Sequence, residues 1–269
     1  MELHYTVAAQ TDTGISKDIN QDSLMVKVLN IQGIEAAFAV ICDGMGGLEH
    51  GEIASGVVVR TFEQWYLKSF PTFLKKAQSM AELEKIWKEL IEDCNMRIMD
   101  YSSQSKVPMG TTLTVLLLFN GLYFFSHVGD CRIYKMSNEI IQLTKDQTFV
   151  ARQIELGYMT PEQAENDYRR NVLLQCIGTS KNVEPDFQYG EVKVNDTFLI
   201  CSDGFRHKLS LKELYINCHK ELLGFDWCVD NRYENTEKIN FRLRELMELV
   251  KKRNETDNIS AILVKVTDK

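Results

Sequence analysis

Aspartate stands at the edge of four apolar runs, and this placement restricts both the fold and the chemistry open to the chain. Three runs end in it, namely AAFAVICDG at Asp43, LYFFSHVGD at Asp130 and DTFLICSDG at Asp203. A fourth run, DNISAILVKV, begins with Asp257. In an antiparallel sheet the end of one strand lies beside the start of its neighbour. The four carboxylates are therefore predicted to meet at one rim.

A single Asp-Gly after a strand is most simply a turn, but four acidic groups at one rim need another explanation. Two carboxylates about 4 Å apart repel by about 4 kcal/mol at an effective dielectric of about 20. Such a cluster persists only if cations or protons neutralise it, and few Lys or Arg stand next to these aspartates. Oxygen ligands favour Mg²⁺ or Mn²⁺, and glycine after an aspartate lets a metal approach the backbone carbonyl. The pattern predicts a two-metal site with a bridging hydroxide.

The remaining patterns predict antiparallel strands with helices outside them. Asn120-Gly121, between two β-branched and aromatic runs, is a strong hairpin signal, and a second hairpin is predicted at Asn195-Asp196. Apolar residues recur at helical spacing in two stretches, 83–98 and 239–250, and a third helix is predicted over 52–66, directly after a glycine-rich turn. We therefore expect an α+β fold, an α-β-β-α sandwich of two antiparallel sheets flanked by helices.

Composition excludes several classes of function. With 31 Lys+Arg against 38 Asp+Glu the formal charge is -7, which disfavours nucleic acid as a partner. No apolar run approaches the roughly 20 residues of a membrane span, and the first residues lack the plan of a secretory signal. Seven scattered cysteines without a C-x-x-C are predicted to be reduced core residues. We expect a cytoplasmic location and, since no linker interrupts the 269 residues, a single domain over 1–269.

Familiar catalytic motifs of other classes are missing from the sequence. There is no G-x-x-x-x-G-K-[ST] phosphate loop, no H-E-x-x-H and no G-x-S-x-G. No cysteine has an arginine six residues later, which excludes a thiol-based phosphatase. The polar insertion 225–237 has no assigned role.

Seven segments between Ala9 and Val266 together resemble a known family. The chain is similar to the metal-dependent Ser/Thr protein phosphatases, also called type 2C or PPM, and 147–178 is most similar to bacterial members that oppose Ser/Thr protein kinases. The resemblance implies a signalling enzyme that hydrolyses phosphoserine and phosphothreonine in proteins, with a flap subdomain near 147–178. The segments are TDTGISKDINQDS, VICDGMGGLEHGEIAS, MGTTLTVLL, HVGDCRIY, LTKDQTFVARQIELGYMTPEQAENDYRRNVLLQCIG, CSDGF and ETDNISAILVKV.

The same resemblance implies a metal centre of Mn²⁺ or Mg²⁺. Asp43 would bridge two ions, with the Gly44 carbonyl on one of them, and Asp203 and Asp257 would hold the other. These three aspartates are the predicted catalytic residues. Asp130 would serve a third, weaker ion.

The surrounding polar residues have implied roles as well. Lys17 would bind the substrate phosphate, in a position where many members have arginine. Gln21 and Asp22 would hydrogen-bond metal-bound waters, although Gln21 replaces the usual glutamate. Asn258 would orient the loop that presents Asp257.

Two more residues depart from the family pattern. Met45 stands where some members carry a histidine that could act as general acid, and His207 stands where bacterial relatives usually have another aspartate. Lys17, Gln21 and His207 each weaken a polar contact that the family normally makes, so one alternative is a phosphatase-fold scaffold with weak or no catalysis. The other is a phosphatase of a small regulatory protein in a partner-switching pathway.

Overall fold

The computed structural model describes residues 2–45, 50–76, 79–220, 222 and 231–268. In these residues ten strands form two five-stranded sheets, and every strand pair is antiparallel. The first sheet has the order β1 (Leu3–Asp12), β10 (Ile259–Asp268), β9 (Thr197–Cys201), β6 (Arg132–Met136) and β7 (Ile140–Gln142). The second sheet has the order β2 (Ser23–Ile31), β3 (Ile34–Cys42), β4 (Leu113–Phe119), β5 (Leu122–Val128) and β8 (Asp186–Glu191).

The helices come in chain order between these strands. They are α1 (Gly51–Lys68), α2 (Phe70–Lys75), α3 (Met80–Ser105), α4 (Phe149–Glu155), α5 (Pro161–Glu165), α6 (Asp203–Arg206), α7 (Leu211–Tyr215), a π-helical turn (Ile216–Lys220) and α8 (Arg232–Lys252). The three predicted helices are confirmed as α1, α3 and α8. Ser79 and Glu82 form a reciprocal capping box that begins α3. No helix in the described part of the chain is long and apolar enough to cross a membrane.

Three hydrophobic clusters separate the four layers of the fold. One lies between the two sheets, one between the second sheet and α1 to α3, and one between the first sheet and α6 to α8. Strands β3 and β4 have both faces covered, which explains why their sequences read as nearly continuous apolar runs. The predicted α-β-β-α sandwich is confirmed.

The two hairpin predictions had different outcomes. Asn120 and Gly121 both have positive φ, 49° and 73°, and join β4 to β5 as expected for a two-residue turn. The hairpin at Asn195-Asp196 is wrong, because β8 pairs with β5 in the second sheet while β9 pairs with β10 and β6 in the first. The Asp196 carboxylate accepts from Lys193 N at 2.8 Å and closes the turn locally, so the chain crosses between sheets there.

Six of the seven cysteines are described, and all six are free and buried. This agrees with their predicted role in the core. Cys228, like residues 225–230 of the polar insertion, lies outside the described residues.

Candidate active site

Asp22 and Asp43 lie side by side at one rim of the second sheet. Strand pairing sets Ser23 opposite Cys42, so Asp22, which precedes β2, and Asp43, which follows β3, leave the sheet at the same end. The backbone of Asp43 is fixed by Thr112, the residue before β4, because Asp43 N donates to Thr112 Oγ1 and Thr112 N donates to the Asp43 carbonyl, both at 2.9 Å. The carboxylate of Asp43 is thus presented from a rigid strand end.

Asp203 and Asp257 occupy the adjoining rim of the first sheet. The pairing of Cys201 with Ala261 sets the end of β9 against the start of β10. Asp203 begins α6, and a Cβ added to the following Gly204 would lie 2.2 Å from the Asn258 carbonyl oxygen. Glycine is therefore needed here for close approach of two chain segments, a constraint that the metal-access interpretation of Asp-Gly did not include.

The two rims meet at one site, which we call the pocket, where burial and neighbouring carboxylates raise the pKa of Asp22, Asp43 and Asp130. Burial raises the pKa of Asp43 well above its ordinary value, and the charges of Asp22, Asp203, Asp130 and Asp257 raise it further. Every one of these contributions disfavours ionisation, and no cationic side chain is among the main opposing influences. The structure therefore brings together the four aspartates that the strand ends predicted, and adds Asp22 to them.

Several carboxylate oxygens in this pocket are buried without a hydrogen-bond donor. They are both oxygens of Asp22 and Oδ1 of Asp203. Burial raises the pKa of Asp22 to about 7, together with the charges of Asp203 and Asp257, and the nearby hydroxyls of Ser260 and Ser202 lower it without reaching hydrogen-bonding geometry. Buried acceptors with no donor are costly, so the pocket fits an oxygen-coordinated divalent cation.

The donor arrangement is open rather than a closed cage. In the described ranges, no group of three His, Cys, Asp or Glu side chains is arranged to hold a metal ion by itself. Mg²⁺ commonly binds through one or two carboxylates and keeps several waters, so an open, all-oxygen set suits this ion and similar hard cations.

Asp130 has a different environment from the other aspartates. Burial and the charge of Asp203 raise its pKa to about 7, but Arg206 and Arg132 oppose this shift. Asp146 accepts hydrogen bonds from both guanidinium groups. Arg132 donates two, from Nε and Nη2 at 2.8 and 2.7 Å, and Arg206 donates one at 3.4 Å. Protein cations therefore offset part of the charge where a third ion was predicted, and that ion stays a prediction.

His207 lies beside the same pocket. Its ring nitrogens are each 3.8 Å from a carboxylate oxygen, Nε2 from Asp203 and Nδ1 from Glu255. The position at which an additional aspartate is usual in relatives thus carries an imidazole between two acids.

A polar loop, 13–21, borders the pocket and carries two predicted site residues. Asn258 anchors it, since Asn258 Oδ1 accepts from Gln21 N at 3.0 Å and Nδ2 donates to the Thr13 carbonyl at 2.9 Å. Lys17 Nζ lies 3.3 Å from Asp257 Oδ1. Gln21 directs its side chain toward the first turn of α1, where Nε2 would lie 3.0 Å from a Cβ at Gly51.

The predicted flap forms a lobe with a closed base. Phe149 N donates to the Val172 carbonyl at 2.7 Å, and Leu174 N donates to the Gln147 carbonyl at 2.8 Å. Between this lobe and the pocket runs a groove of about 1960 Å³, which reaches from α4 and α5 to Asp130 and Asp257. Its wall on the pocket side includes Asp130, Arg206, His207 and Asp257.

Comparison with known proteins agrees with this architecture. The family model described as protein phosphatase 2C matches residues 12–248. The chain belongs to the protein phosphatase 2C family. A putative protein phosphatase 2C-type from Streptococcus pyogenes is 29% identical over 260 residues, 96% of each chain.

Two solved structures show the same family fold. The serine/threonine phosphatase Stp1 from Staphylococcus aureus is 27% identical, with a TM-score of 0.79 over 98% of this chain and 97% of that one. The catalytic domain of the serine threonine protein phosphatase PstP, in complex with 2 manganese ions, is 25% identical, with a TM-score of 0.75 over 99% and 100%. The chain is a bacterial-type PPM serine/threonine phosphatase.

Sequence reasoning missed one member of this phosphatase's pocket, Glu255. Its buried carboxylate accepts from Thr256 N at 2.8 Å and from Asp257 N at 3.2 Å, so it shapes the turn that presents Asp257. The sequence held one signal for Glu255, because it is an acidic residue two positions before Asp257, which stands near the start of a strand. The Arg132–Asp146 pair was also missed, because nothing in the sequence links residues 14 positions apart.

Because other carboxylates crowd around Asp22, we expect Asp22→Asn to change the pH dependence of the protein's stability. The folded protein holds a proton on Asp22 up to about pH 7, whereas the unfolded chain releases it near pH 4. Tighter proton binding by the folded state stabilises the protein. This stabilisation is complete below about pH 4 and is lost as pH rises through about 7. Without added metal, the free energy of unfolding of wild type relative to Asp22→Asn should fall by about 1.4 kcal/mol between about pH 6 and about pH 8. Chemical denaturation at several pH values measures it.

The comparison with Asp22→Asn cancels the titration of groups outside the aspartate cluster. Burial lowers the pKa of His127 and of His219, the latter to about 4, and these groups destabilise both proteins equally as pH falls below about 6.5. A pH-independent difference between wild type and Asp22→Asn would show that Asp22 is not held protonated by the cluster.

Proposed function

We propose that this chain hydrolyses phosphoserine and phosphothreonine in proteins with the help of two divalent cations, Mn²⁺ or Mg²⁺. The observation that carries the proposal is the convergence of Asp22, Asp43, Asp203 and Asp257, with buried oxygens that lack hydrogen-bond donors. Such a cluster is stabilised by bound cations. Family membership supports the same reaction class.

The residues fit separate roles around these ions. Asp43 would bridge them, with the Gly44 carbonyl on one and Asp203 and Asp257 on the other. When bound, two such ions supply a hydroxide nucleophile and stabilise charge on the transferring phosphoryl group. Asp43 is suited to a bridging position because Thr112 fixes its backbone on both sides.

The supporting residues position these ligands and the substrate. Asn258 ties the 13–21 loop to the start of β10, which places Gln21 and Asp22 beside the aspartates. Asp22 presents two free oxygens that could accept hydrogen bonds from metal-bound water. Lys17, on the same loop, would bind the substrate phosphate as a point charge.

The groove supports a protein rather than a small-molecule substrate. Its volume of about 1960 Å³ exceeds the roughly 300–1,000 Å³ of typical small-ligand pockets, and it continues from Asp130 and Asp257 along the lobe at 147–178. We therefore assign the lobe as a flap that contacts the polypeptide around the phosphorylated residue. The partners would be substrates of a Ser/Thr protein kinase, in a signalling role.

Two further parts of the proposal concern the ions and the location. The relative PstP was crystallised with 2 manganese ions, which favours Mn²⁺ in assays of this chain. A third ion at Asp130 would be weaker, given the nearby arginines. Six free, buried thiols favour a reducing compartment such as the cytoplasm.

Hydrolysis of para-nitrophenyl phosphate and of phosphopeptides tests the proposal. We expect turnover that requires Mn²⁺, is abolished by EDTA and returns when Mn²⁺ is added in excess. Phosphoserine and phosphothreonine peptides should be cleaved in preference to phosphotyrosine peptides. Asp203→Asn should lower kcat at least about 100-fold, since Asp203 would hold one of the two ions.

Other outcomes would favour the alternatives. Activity that survives both EDTA and Asp203→Asn would contradict the metal mechanism. Failure of millimolar Mn²⁺ to bind in a calorimetric titration would favour the scaffold. Cleavage of a folded phosphoprotein alone, with no cleavage of peptides, would favour the partner-switching phosphatase.

A further inference from the structure

Lys17 has a contact that its proposed role does not require. Its ammonium lies 3.3 Å from Asp257 Oδ1, and both side chains are about one-third exposed, at 34% and 36%. The same carboxylate oxygen accepts from the Asn258 backbone N–H at 2.9 Å. A residue expected to bind the substrate phosphate therefore lies against a residue expected to bind a metal ion.

The loop around Lys17 lets its ammonium change partners. Asp12 accepts from Gly14 N at 2.8 Å at one end of the loop, and Asn258 Nδ2 contacts the carbonyls of Thr13 at 2.9 Å and Ile19 at 3.3 Å. These anchors hold the loop on either side of Lys17. The flexible four-carbon stem can then move the charge without moving the backbone.

A cation bound to Asp257 opposes the arrival of a second cation there. A divalent ion must break the ion pair with Lys17 and also meets the repulsion of its ammonium. A phosphate group beside the ions offers the displaced ammonium a new anionic partner.

We propose that Lys17 competes with divalent metal for Asp257 and that metal binding transfers its ammonium from Asp257 to the substrate phosphate. This inference rests on the proposed function, since it needs a metal at Asp257. Metal and phosphate binding are then coupled through one side chain, and by linkage each raises the affinity of the other.

Calorimetric titration of Mn²⁺ into Lys17→Met tests the competition without any activity measurement. Methionine keeps a long flexible side chain and removes the charge. We expect Lys17→Met to bind Mn²⁺ about two- to fivefold more tightly than wild type, the range that an exposed ion pair can supply. Lys17→Arg, which keeps the cation, should bind Mn²⁺ as wild type does.

Lys27→Met is the matched control. Lys27 pairs with Glu63 at 3.0 Å, with similar exposure of 39% and 31%, on an edge strand outside the pocket. This variant loses the same charge and one ion pair, and its Mn²⁺ affinity should equal that of wild type. Tighter binding in both lysine variants would trace the effect to net charge and would overturn the inference.

Titration of inorganic phosphate supplies the second readout. In wild type, Mn²⁺ should strengthen phosphate binding, and this gain should be smaller in Lys17→Met. Unchanged or weaker Mn²⁺ binding in Lys17→Met overturns the inference but leaves the proposed function standing, provided that wild type binds Mn²⁺ and requires it for hydrolysis. If wild type binds no Mn²⁺ at millimolar concentration, both are overturned.

Discussion

Asp43→Asn should abolish Mn²⁺-dependent hydrolysis while making the protein more stable in EDTA. Asp43 is the proposed bridge between two ions, and loss of about 4 kcal/mol of transition-state stabilisation corresponds to about a thousandfold fall in kcat. The same change removes a carboxylate that is crowded by Asp22, Asp203 and Asp130. Phosphatase assays, together with thermal unfolding in EDTA and in Mn²⁺, measure both effects.

These opposite signs distinguish a metal site from a structural ion-pair network. Asp93→Asn provides the control, because Asp93 is exposed on α3 and pairs with Arg97 at 3.3 Å. We expect that control to change stability by less than about 0.5 kcal/mol and to keep full activity. If Asp43→Asn were instead less stable in EDTA, Asp43 would have favourable partners in the fold and the argument for a cation would fail.

Gly204→Ala should damage both stability and catalysis. An added Cβ would lie 2.2 Å from the Asn258 carbonyl oxygen and 3.3 Å from the Asp257 Cβ, so the segments that carry Asp203 and Asp257 must move apart. Overpacking of this kind typically costs about 1–3 kcal/mol, and displacement of a site by about 1 Å can cost about 100-fold in rate. Chemical denaturation and assays of kcat in Mn²⁺ measure the two effects.

Gly56→Ala is the control for this substitution. Gly56 lies inside α1, and an added Cβ would come no closer than 3.9 Å to the Ser23 hydroxyl oxygen. Alanine is the better helix former by roughly 1 kcal/mol, so this variant should be slightly more stable and fully active. Full activity in Gly204→Ala would show that the spacing between the α6 and β10 segments does not control the site.

Much of the fold could be predicted from local sequence patterns. The Asn120-Gly121 turn and the apolar periodicity of α3 are strong local signals, and both were confirmed. The hairpin prediction at Asn195-Asp196 was wrong, because a two-residue polar turn does not determine whether the next strand joins the same sheet. Burial of Val192 and the Asp196–Lys193 contact accompany the crossing between sheets, and these contacts depend on the packed layers.

The candidate site shows the same limit. The strand-end positions of Asp43 and Asp203 follow from sequence, whereas the contacts of Arg206 with Asp146 and of His207 with Glu255 do not. They join residues from elements that meet only after the sheets have packed. For this reason the family resemblance implied a third ion at Asp130 without revealing the arginines beside it.

What the sequence determined alone was the type of the elements with strong periodic or turn signals, such as β4, β5, α3 and α8, and the placement of acids where strands end. Hydrophobic period and turn chemistry act over a few residues, so these properties are local. Tertiary structure decided which rims face each other, which carboxylate oxygens lost their hydrogen-bond donors, and that Lys17 lies against Asp257. Those outcomes depend on desolvation and on charges that are distant in sequence, and both arise only when the two sheets stack.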